Sequence, residues 1–347
     1  MKIALICPSN MLYMPYVGNY ETILNENNIE YDIINWDRFG IEKTSKFTYR
    51  DNKVGHQRNF FDYYQYKKFV TKHLNMTKYD KIIIFGIQLT FFLKQILQKK
   101  FKSNYIIDIR DHNRIINYFN IEKAIINSAF VVLSSPGYKE WLPNIDKYII
   151  NHNTQIKNLN ELRSSDILLN KEKLNIACIG AIRDYKVNID FINSLKNNNW
   201  VDIFFHGEGD INKDIQKYLD SNNIKNVYLT GRYRKKEEKK LYCSSDLINV
   251  LRYDDGINNK TALPNRLYNA VIYGKPMLAF SDTYLSEIVE KYKLGLVISS
   301  FDNIVETIKN YLIRFDNEKY NLHRNQFFNH VIKENKLFIY KLENFIK

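Results

Sequence analysis

Short apolar runs recur along the whole chain and constrain its fold more than any other feature. Examples are KIALIC (2–7), KIIIFG (81–86) and KPMLAF (275–280), each with at least four consecutive apolar residues. Runs that are apolar at every position, rather than at every second position, indicate strands buried on both faces of a sheet. Helix-like segments separate the runs, and this alternation predicts parallel, doubly wound α/β sheets.

This pattern assigns most of the chain to strands and helices. The predicted strands cover residues 2–7, 30–36, 81–86, 104–109, 130–135, 147–151, 173–180, 201–207, 226–231, 247–251, 275–280 and 294–299. The predicted helices cover residues 16–27, 60–75, 88–101, 121–127, 188–197, 211–221, 234–243, 264–273, 284–292, 302–315 and 320–346.

The length of the chain favours two domains. Its 347 residues are about twice the ~150 residues of a common domain. The strand–helix rhythm also occurs twice, on either side of a polar segment without a strong period, residues 153–173. We therefore predict an N-terminal Rossmann-like domain over 1–152, a linker over 153–172 and a second Rossmann-like domain from 173. Ligands of such sheets bind at the carboxyl ends of the strands, which predicts a central cleft between the two domains.

Composition narrows the class of partner. The net charge of +13 favours an acidic partner such as nucleotide phosphates or anionic lipid. The charge is spread over both halves and no nucleic-acid motif occurs, so we expect no nucleic-acid partner. The chain begins with a strand-like segment and contains no apolar stretch long enough to span a bilayer. Its three cysteines lack metal-ligand spacing, which indicates reduced thiols and a cytoplasmic protein.

The stretch NNKTALPNRLYNAVIYGKPMLAF (258–280) predicts an anion site. Pro264 suits the first turn of a helix, where its missing N–H is no loss. The helix amino end, including Asn265, offers unpaired backbone N–H groups and a partial positive charge to a phosphate or diphosphate. Arg266 could add a bidentate contact. In the alternative interpretation, this is a well-capped helix joined to a strand by a tight turn at Gly274.

Several motifs follow one another between residues 173 and 300. They are IGAIRDYK (179–186), FFHGEGD (204–210), NVYLTG (226–231), LPNRLYNAVIYGKPML (263–278) and YLSEIVEKYKLGLVI (284–298). As an ordered set they resemble the donor domain of GT-B glycosyltransferases, most of all glycosyltransferase family 4. In the first 150 residues the resemblance is diffuse and rests mainly on IIDIRD (106–111) and VVLSSPGYKEWL (131–142).

The resemblance implies a nucleotide-sugar donor bound by the second domain. Two positions depart from the family pattern: Ala181 stands where an arginine is usual, and Thr261 and Asn269 replace a pair of glutamates. Arg183 is our inferred substitute for the missing arginine, and Asn269 keeps the ability to hydrogen-bond a ribose hydroxyl. The expected diphosphate contacts are Arg183, Lys186, Pro264, Asn265 and Arg266; the nucleoside and ribose contacts are Gly231, Arg232, Tyr233, Arg234 and Asn269; the donor-sugar loop residues are Gly207, Glu208, Asp255 and Gly256.

The resemblance also carries expectations about the reaction. It implies transfer of a hexose, with retained configuration, to a saccharide or lipid-linked acceptor in cell-surface polysaccharide synthesis. It implies no metal or other cofactor, and a donor domain that ends at 319, with the last helix (320–347) crossing back to the first domain. Two rivals stay open: a nucleotide-sugar 2-epimerase of GT-B architecture, and a non-catalytic nucleotide-sugar-binding protein.

The segment DIRDHNR (108–114) is the candidate acceptor site. It follows an apolar strand, so its charged side chains lie at a carboxyl strand end. Asp111 or His112 could orient or deprotonate an acceptor hydroxyl, and histidine has the better-matched intrinsic pKa. In the alternative, Asp108, Arg110 and Asp111 form a local salt-bridged cap.

Residues 67–102 are strongly basic. They contain nine Lys or Arg residues and one acid, Asp80, interleaved with Phe and Tyr. The helix within 89–102 either covers the sheet with its lysines in solvent or lies on anionic lipid. The second interpretation predicts a peripheral protein at the inner face of the cell membrane.

Overall fold

The computed structural model describes residues 1–165, 167 and 171–347. Contacts divide the chain into two compact units. The first unit comprises Met1–His152 and Lys333–Lys347, and the second comprises Asn153–Ile332. Four residues of the expected linker, 166 and 168–170, lie outside the described residues.

The first unit is built on a seven-stranded sheet of parallel strands in the order β3-β2-β1-β4-β5-β6-β7. Its central strands are buried at nearly every position, as continuous apolar runs require. The strands are β1 (Lys2–Cys7), β2 (Glu30–Asp37), β3 (Thr48–Arg50), β4 (Lys81–Phe85), β5 (Tyr105–Ile109), β6 (Phe130–Leu133) and β7 (Tyr148–Ile150). The helices are α1 (Val17–Glu26), α2 (Phe60–Met76), α3 (Ile87–Lys100) and α4 (Ile121–Asn127).

The second unit repeats the plan with a six-stranded parallel sheet in the order β10-β9-β8-β11-β12-β13. Its strands are β8 (Leu174–Ile179), β9 (Val201–His206), β10 (Val227–Gly231), β11 (Leu247–Asn249), β12 (Met277–Phe280) and β13 (Gly295–Ile298). Its helices are α5 (Tyr185–Leu195), α6 (Asn212–Ser221), α7 (Glu238–Ser244), α8 (Ile257–Thr261), α9 (Asn265–Ile272), α10 (Tyr284–Lys291), α11 (Ile304–Ile313) and the start of α12 (Asn317–Phe345). Two doubly wound sheets were predicted, and both are confirmed.

The order of strands in the second sheet reverses between β8 and β11. The chain builds β9 and β10 on one side of β8, then returns to build β11, β12 and β13 on the other. In such sheets, the crevice at the carboxyl ends of the two strands on either side of the reversal is where ligands bind. The turn after β8 and the loop after β11 therefore define the place to look for a site.

Two short elements are absent from the sequence prediction. Strand β3 has three residues and helix α8 has five, too few to show a period of their own. Strand β3 forms because it pairs with β2, Asn35 facing Thr48 and Asp37 facing Arg50. Long-range pairing, rather than local propensity, creates it.

The described part of the expected linker packs on the second unit. The backbone N–H of Arg163 donates to the carbonyl of Ile272 at 2.9 Å, and the Ser165 hydroxyl donates to the Asn317 side chain at 2.7 Å. Helix α12 begins at Asn317, three residues before the predicted start. From Lys333 onward, α12 belongs to the first unit.

Asp37 closes β2 with a fully buried carboxylate. It accepts hydrogen bonds from the Asn10 amide at 2.6 Å, from Arg50 Nε at 2.8 Å and from the backbone N–H of Ile41 at 3.1 Å. Burial alone would raise the pKa of Asp37, but the hydrogen bonds from Asn10, Arg50 and the loop backbone outweigh it. They lower the pKa from its ordinary 3.8 to about 2.

We predict that Asp37 makes the protein acid-sensitive. Because its folded-state pKa is lowered, its stabilising contribution is complete above about pH 4 and is lost as the pH falls toward 2. Across that window, the free energy of unfolding of the wild type should fall by about 2 kcal/mol more than that of Asp37→Asn. Urea unfolding at a series of pH values measures this difference. Parallel stability curves for the two proteins would contradict the assignment.

The loop after β9 touches the turn after β8 so closely that only glycine fits. A Cβ at Gly207 would lie 1.9 Å from the Gly180 carbonyl oxygen, and one at Gly209 would lie 1.7 Å from that of Ile182. Gly207 also has φ +143°. We predict that Gly207→Ala and Gly209→Ala each lower the free energy of unfolding by about 3 kcal/mol.

Gly18→Ala is the matched control for this pair. A Cβ at Gly18, in α1, meets no atom within 4 Å, so alanine should leave stability unchanged or raise it by up to about 1 kcal/mol. Denaturant unfolding of the three variants compares them directly. Equal stability of all three would show that the two loops can separate at no cost.

Candidate functional site

The turn after β8 is fixed by hydrogen bonds to the neighbouring loop. The Gly180 N–H donates to the His206 carbonyl at 2.9 Å, and the Ile182 N–H donates to that of Glu208 at 3.2 Å. The Glu208 side chain is exposed. The loop that contains Gly207 and Glu208, predicted as donor-sugar loop residues, thus packs directly against the turn after β8.

Helix α5 begins at Tyr185, three residues before the predicted start, and Lys186 therefore lies in its first turn. Asp184, which precedes the helix, has a left-handed backbone with φ 62° and makes no side-chain cap. The first N–H groups of a helix lack intrahelical partners and carry a partial positive charge. Exposed side chains of Arg183 and Lys186 add two full charges at this end.

The loop after β11 packs beside this helix end. Lys186 Nζ lies 5.5 Å from the centre of the Tyr253 ring, whose hydroxyl donates to Asp190 at 2.7 Å. The Asn259 amide donates to Asp184 at 3.2 Å and to Asp255 at 2.9 Å. These contacts bring Asp255, a predicted donor-sugar residue, next to the predicted diphosphate residues.

Arg266 joins three chain segments at the strand reversal. Its Nη1 donates to the Cys178 sulfur at 2.9 Å and to the Asn249 carbonyl at 3.0 Å, and its Nη2 donates to the Ala181 carbonyl at 3.3 Å. Burial raises the pKa of the Cys178 thiol, although Arg266 opposes the shift. The sequence predicts a bidentate anion contact for Arg266, but at least three of its N–H groups bind protein acceptors. The Arg266 guanidinium therefore keeps its positive charge at the site, while its hydrogen bonds hold α9 to the strand ends and to the turn after β8.

Helix α9 begins one residue later than predicted, so Pro264 precedes its first turn instead of lying in it. Pro264 is the N-cap of α9, with extended backbone (φ −77°, ψ 154°), and exposed Asn265 is the first helical residue. The correction is local, because the cap carbonyl of Pro264 already accepts from the Leu267 N–H at 3.0 Å. The link from Arg266 to Ala181 places the amino end of α9 beside the turn that leads to α5.

The two helix ends gather positive charge. Among the residues described, no Asp or Glu oxygen lies within 4 Å of the charged nitrogens of Arg183, Lys186 or Arg266. Cations that lack carboxylate partners beside unpaired backbone N–H groups form a site for a strong anion. This arrangement joins Arg183, Lys186, Asn265 and Arg266, which the sequence predicts to act together.

A buried carboxylate missed by sequence reasoning lies behind this site. Glu238, the first residue of α7, is almost fully buried. It accepts from the Asn269 amide at 3.2 Å and from the Tyr233 hydroxyl at 3.4 Å. Burial and the negative charge of Glu238 raise the pKa of Tyr233 to about 12. Glu238 therefore connects Asn269 and Tyr233, two of the predicted nucleoside and ribose residues. The family pattern has a glutamate at the position of Asn269 in α9, whereas Glu238 lies in α7.

Of the other predicted nucleoside residues, Arg232 and Arg234 have exposed side chains and Gly231 offers only its backbone. Gly231, with φ 72°, follows an irregularity in β10, and Arg232 and Arg234 point to solvent. Gly256, a predicted donor-sugar loop residue, is the extended N-cap of α8. Thr261, where the family has a glutamate, is buried and its hydroxyl donates to the Ile257 carbonyl at 2.6 Å. Thr261 supplies no charge.

In the first unit, Asp108 and Arg110 form a buried ion pair. Arg110 Nη2 lies 2.7 Å from Asp108, and the Tyr20 hydroxyl donates to the same carboxylate at 2.6 Å. Asp111 is exposed and His112 is half-buried, with its ring edge-on to Trp141 at 5.1 Å. Burial, reinforced by the charge of Arg114, lowers the pKa of His112. Asp108 and Arg110 thus form the ion pair that the alternative interpretation expects.

Helix α3, which lies in the basic segment 67–102, packs an apolar face against the first sheet. The buried face of α3 includes Ile87, Phe92, Leu93 and Leu97, and its lysines lie toward its carboxyl end. In the part of the chain that the structure describes, no helix has the length and apolar character needed to span a bilayer. The same described residues contain no group of three or more His, Cys, Asp or Glu placed to bind a metal ion.

Comparison with known proteins identifies the fold through structure rather than sequence. No protein-family model matches the sequence, and no curated protein matches it significantly. Among solved structures, sucrose-phosphate synthase from Thermosynechococcus elongatus superposes with a TM-score of 0.67 at 12% identity. The match covers 97% of this chain and 94% of that protein.

Two further structures match with similar completeness. The lipopolysaccharide outer core galactosyltransferase WaaB gives a TM-score of 0.66 at 13% identity, covering 98% of this chain and 99% of its own. HepE from Anabaena, solved with UDP and glucose, gives 0.61 at 14% identity, covering 97% and 98%. At such low identity a structural likeness establishes the fold alone. The chain therefore has the GT-B fold that the sequence resemblance predicts.

Proposed function

We propose that the protein is a glycosyltransferase that moves a sugar from a nucleotide-sugar donor to a saccharide or lipid-linked saccharide. One observation carries the proposal: Arg183, Lys186 and Arg266 meet two helix amino ends at the strand reversal of the second sheet. A doubly charged diphosphate is the ligand best matched to that concentration of positive charge. The fold is shared with HepE, which was solved with UDP and glucose, and this supports a nucleoside diphosphate.

The charges have a chemical task in such a reaction. The bond between the anomeric carbon and the donor phosphate oxygen breaks, and a new bond forms between that carbon and the acceptor oxygen, whose proton departs. Negative charge grows on the leaving diphosphate as its bond breaks. Exposed cations at Arg183 and Lys186 stabilise that charge more than they stabilise the intact donor, which lowers the barrier.

The cluster around Glu238 suits the nucleoside. A ribose offers hydroxyl donors, and Asn269 offers its amide oxygen while its amide nitrogen donates to Glu238, whose other oxygen pairs with Lys235. Tyr233 lies on the segment Arg232–Arg234 directly after β10, where the base would rest. We propose that Glu238 takes over the part that the missing glutamate at Asn269 plays in family 4.

The acceptor would bind the first unit near Asp111 and His112. In this proposal neutral His112 accepts the proton of the acceptor hydroxyl, and Asp111 orients it. The donor sugar would rest on the loop of Gly207, Glu208, Asp255 and Gly256. The proposal includes a metal-independent transfer of a hexose with retained configuration, in which the acceptor oxygen attacks the anomeric carbon from the face that the diphosphate leaves. It also includes a place in cell-surface polysaccharide synthesis on the cytoplasmic side.

Removal of either exposed cation tests the donor site. We predict that Lys186→Met and Arg183→Met each lower kcat/KM for the donor by about 100-fold, because transition-state charge loses a partner. Lys196→Met is the matched control, since Lys196 is exposed and lies at the opposite end of α5. A thermal-shift screen of nucleotide-sugars first identifies the donor, and release of nucleoside diphosphate then gives the rate. Wild-type turnover in both variants, or an epimerised sugar as the product, would contradict the proposal.

The pH profile tests the proposed base. The pKa of His112 is lowered from 6.5, and a general base works in its neutral form, so activity should rise with pH and level off below about pH 6.5. Arg114→Ala removes a positive charge and should move this acid limb to higher pH. His112→Ala should remove the limb and lower kcat by about 100-fold or more. An unchanged profile in both variants would exclude His112 as the base.

A further inference from the structure

A polar cavity lies at the amino ends of strands β8, β9 and β10 in the second unit. Its volume is about 620 Å³, and its lining includes Lys173, Asp202 and Tyr228, each within one residue of the start of its strand. The segments that follow α5 and α6 add five asparagines: Asn197, Asn198, Asn199, Asn223 and Asn226. Because these strands are parallel, their amino ends form the edge opposite to the carboxyl ends, which carry the candidate donor site.

Two of the asparagines fix the shape of the cavity. Asn197 has a left-handed backbone with φ 55°, and its side chain donates to the Asn223 carbonyl at 3.2 Å and accepts from the Lys225 N–H at 2.9 Å. The buried side chain of Asn226 accepts from the Asn197 N–H at 2.8 Å and donates to the Val201 carbonyl at 2.8 Å. Hydrogen bonds within the protein therefore tie the segment after α5 to the segment after α6.

The other asparagines keep hydrogen-bonding groups that the protein does not use. Among the described residues, the exposed side-chain amides of Asn199 and Asn223 have no protein partner. Asn198 uses its oxygen, which accepts from the Trp200 N–H at 2.9 Å. An amide side chain combines two N–H donors with a carbonyl acceptor. Three such amides around one cavity can therefore bind several neighbouring hydroxyl groups of a ligand.

Tyr228 adds an aromatic surface to the cavity. Its ring stacks on Phe204, with ring centres 5.0 Å apart and planes 18° apart, and the residue is 42% exposed. Packing on Phe204 holds the ring in one orientation. An aromatic side chain of this kind offers an apolar face together with a polar tip, and the C–H face of a pyranose packs on such a ring.

The charges of the cavity nearly cancel. Asp202 is buried and pairs with Lys173 at 3.0 Å. Lys225 has no Asp or Glu oxygen within 4 Å in the part of the chain that the structure describes. One unpaired ammonium beside a buried carboxylate is a poor site for a phosphate, whereas amides with an aromatic surface match a ligand rich in hydroxyl groups.

We propose that this cavity binds one pyranose unit of a saccharide. The Tyr228 ring packs on the apolar face of the sugar, and its hydroxyl groups bind the amides of Asn199 and Asn223 and the Lys225 ammonium. The cavity lies at the edge of the sheet away from the candidate donor site. The inference is therefore independent of the proposed reaction, and sugar binding is measured without a nucleotide.

Binding of methyl glycosides tests the proposal. The whole protein is titrated with the methyl glycosides of glucose, galactose, N-acetylglucosamine and glucuronic acid, followed by saturation-transfer NMR, and at least one should bind with a millimolar Kd. Tyr228→Thr keeps a residue that favours strands, and Asn223→Gly keeps the left-handed backbone of φ 50°. Each should raise the Kd by about tenfold, because the first removes the ring and the second removes an amide.

Asn28→Gly is the matched control. Asn28 is exposed in the turn after α1, with φ 54°, so the same chemical change is made in the other unit and should leave the Kd unchanged. Lys186→Met should also leave the Kd unchanged, which separates this cavity from the candidate donor site. Unchanged thermal unfolding confirms that the variants fold, and exposed Asn199→Ala, outside any helix or strand, replaces Tyr228→Thr should that variant unfold.

Four results would each overturn the proposal. They are no binding of any of the four glycosides, a wild-type Kd in both cavity variants, equal Kd values for Asn223→Gly and Asn28→Gly, and loss of binding in Lys186→Met.

Discussion

The guanidinium of Arg266 is the constraint on which the candidate donor site depends. It reaches from α9 to the ends of two neighbouring strands, at Cys178 and Asn249, and to the turn at Ala181. Planar, always charged arginine can hold several acceptors at once in fixed geometry, which lysine cannot. This one side chain therefore links the amino end of α9 to the turn that leads to α5. Hydrogen bonds within the protein hold this charge in a fixed place, which is the preorganisation that electrostatic catalysis requires.

The same corner concentrates unfavourable features that a purely structural turn would avoid. Asp184 has a left-handed backbone, Gly207 allows no side chain, and the side chains of Arg183 and Lys186 are both exposed. Like charges and backbone strain reduce stability, and they persist where a bound anion or substrate benefits from them. Some other lysines of the second unit are paired, as Lys173 with Asp202 and Lys171 with Asp246 illustrate.

Local pattern was sufficient for most of the fold. Buried parallel strands are apolar throughout, so runs such as KIALIC match β1 residue for residue. Features created by distant partners were not predictable. Strand β3 exists through its pairing with β2, Glu238 gains its role only when α7 packs beside Asn269, and Arg266 binds protein acceptors that lie 17 to 88 positions away in the sequence. Lys186 could be proposed from the sequence because the family resemblance includes a lysine six residues after the glycine of this turn. The start of α5 was misplaced because Asp184 precedes the helix with a left-handed backbone and no side-chain cap.

A nucleoside diphosphate complex tests the central claim most directly. A crystal of the protein with the diphosphate product of its donor should show both phosphates against the turn from Gly180 to Lys186, with the Lys186 ammonium and the first N–H groups of α5 or α9 in contact. Arg266 should keep its bonds to Cys178 and Asn249, because the site exists before the ligand arrives. Phosphates bound at another edge of the sheet, or an Arg266 that leaves its strand partners to reach them, would contradict this account.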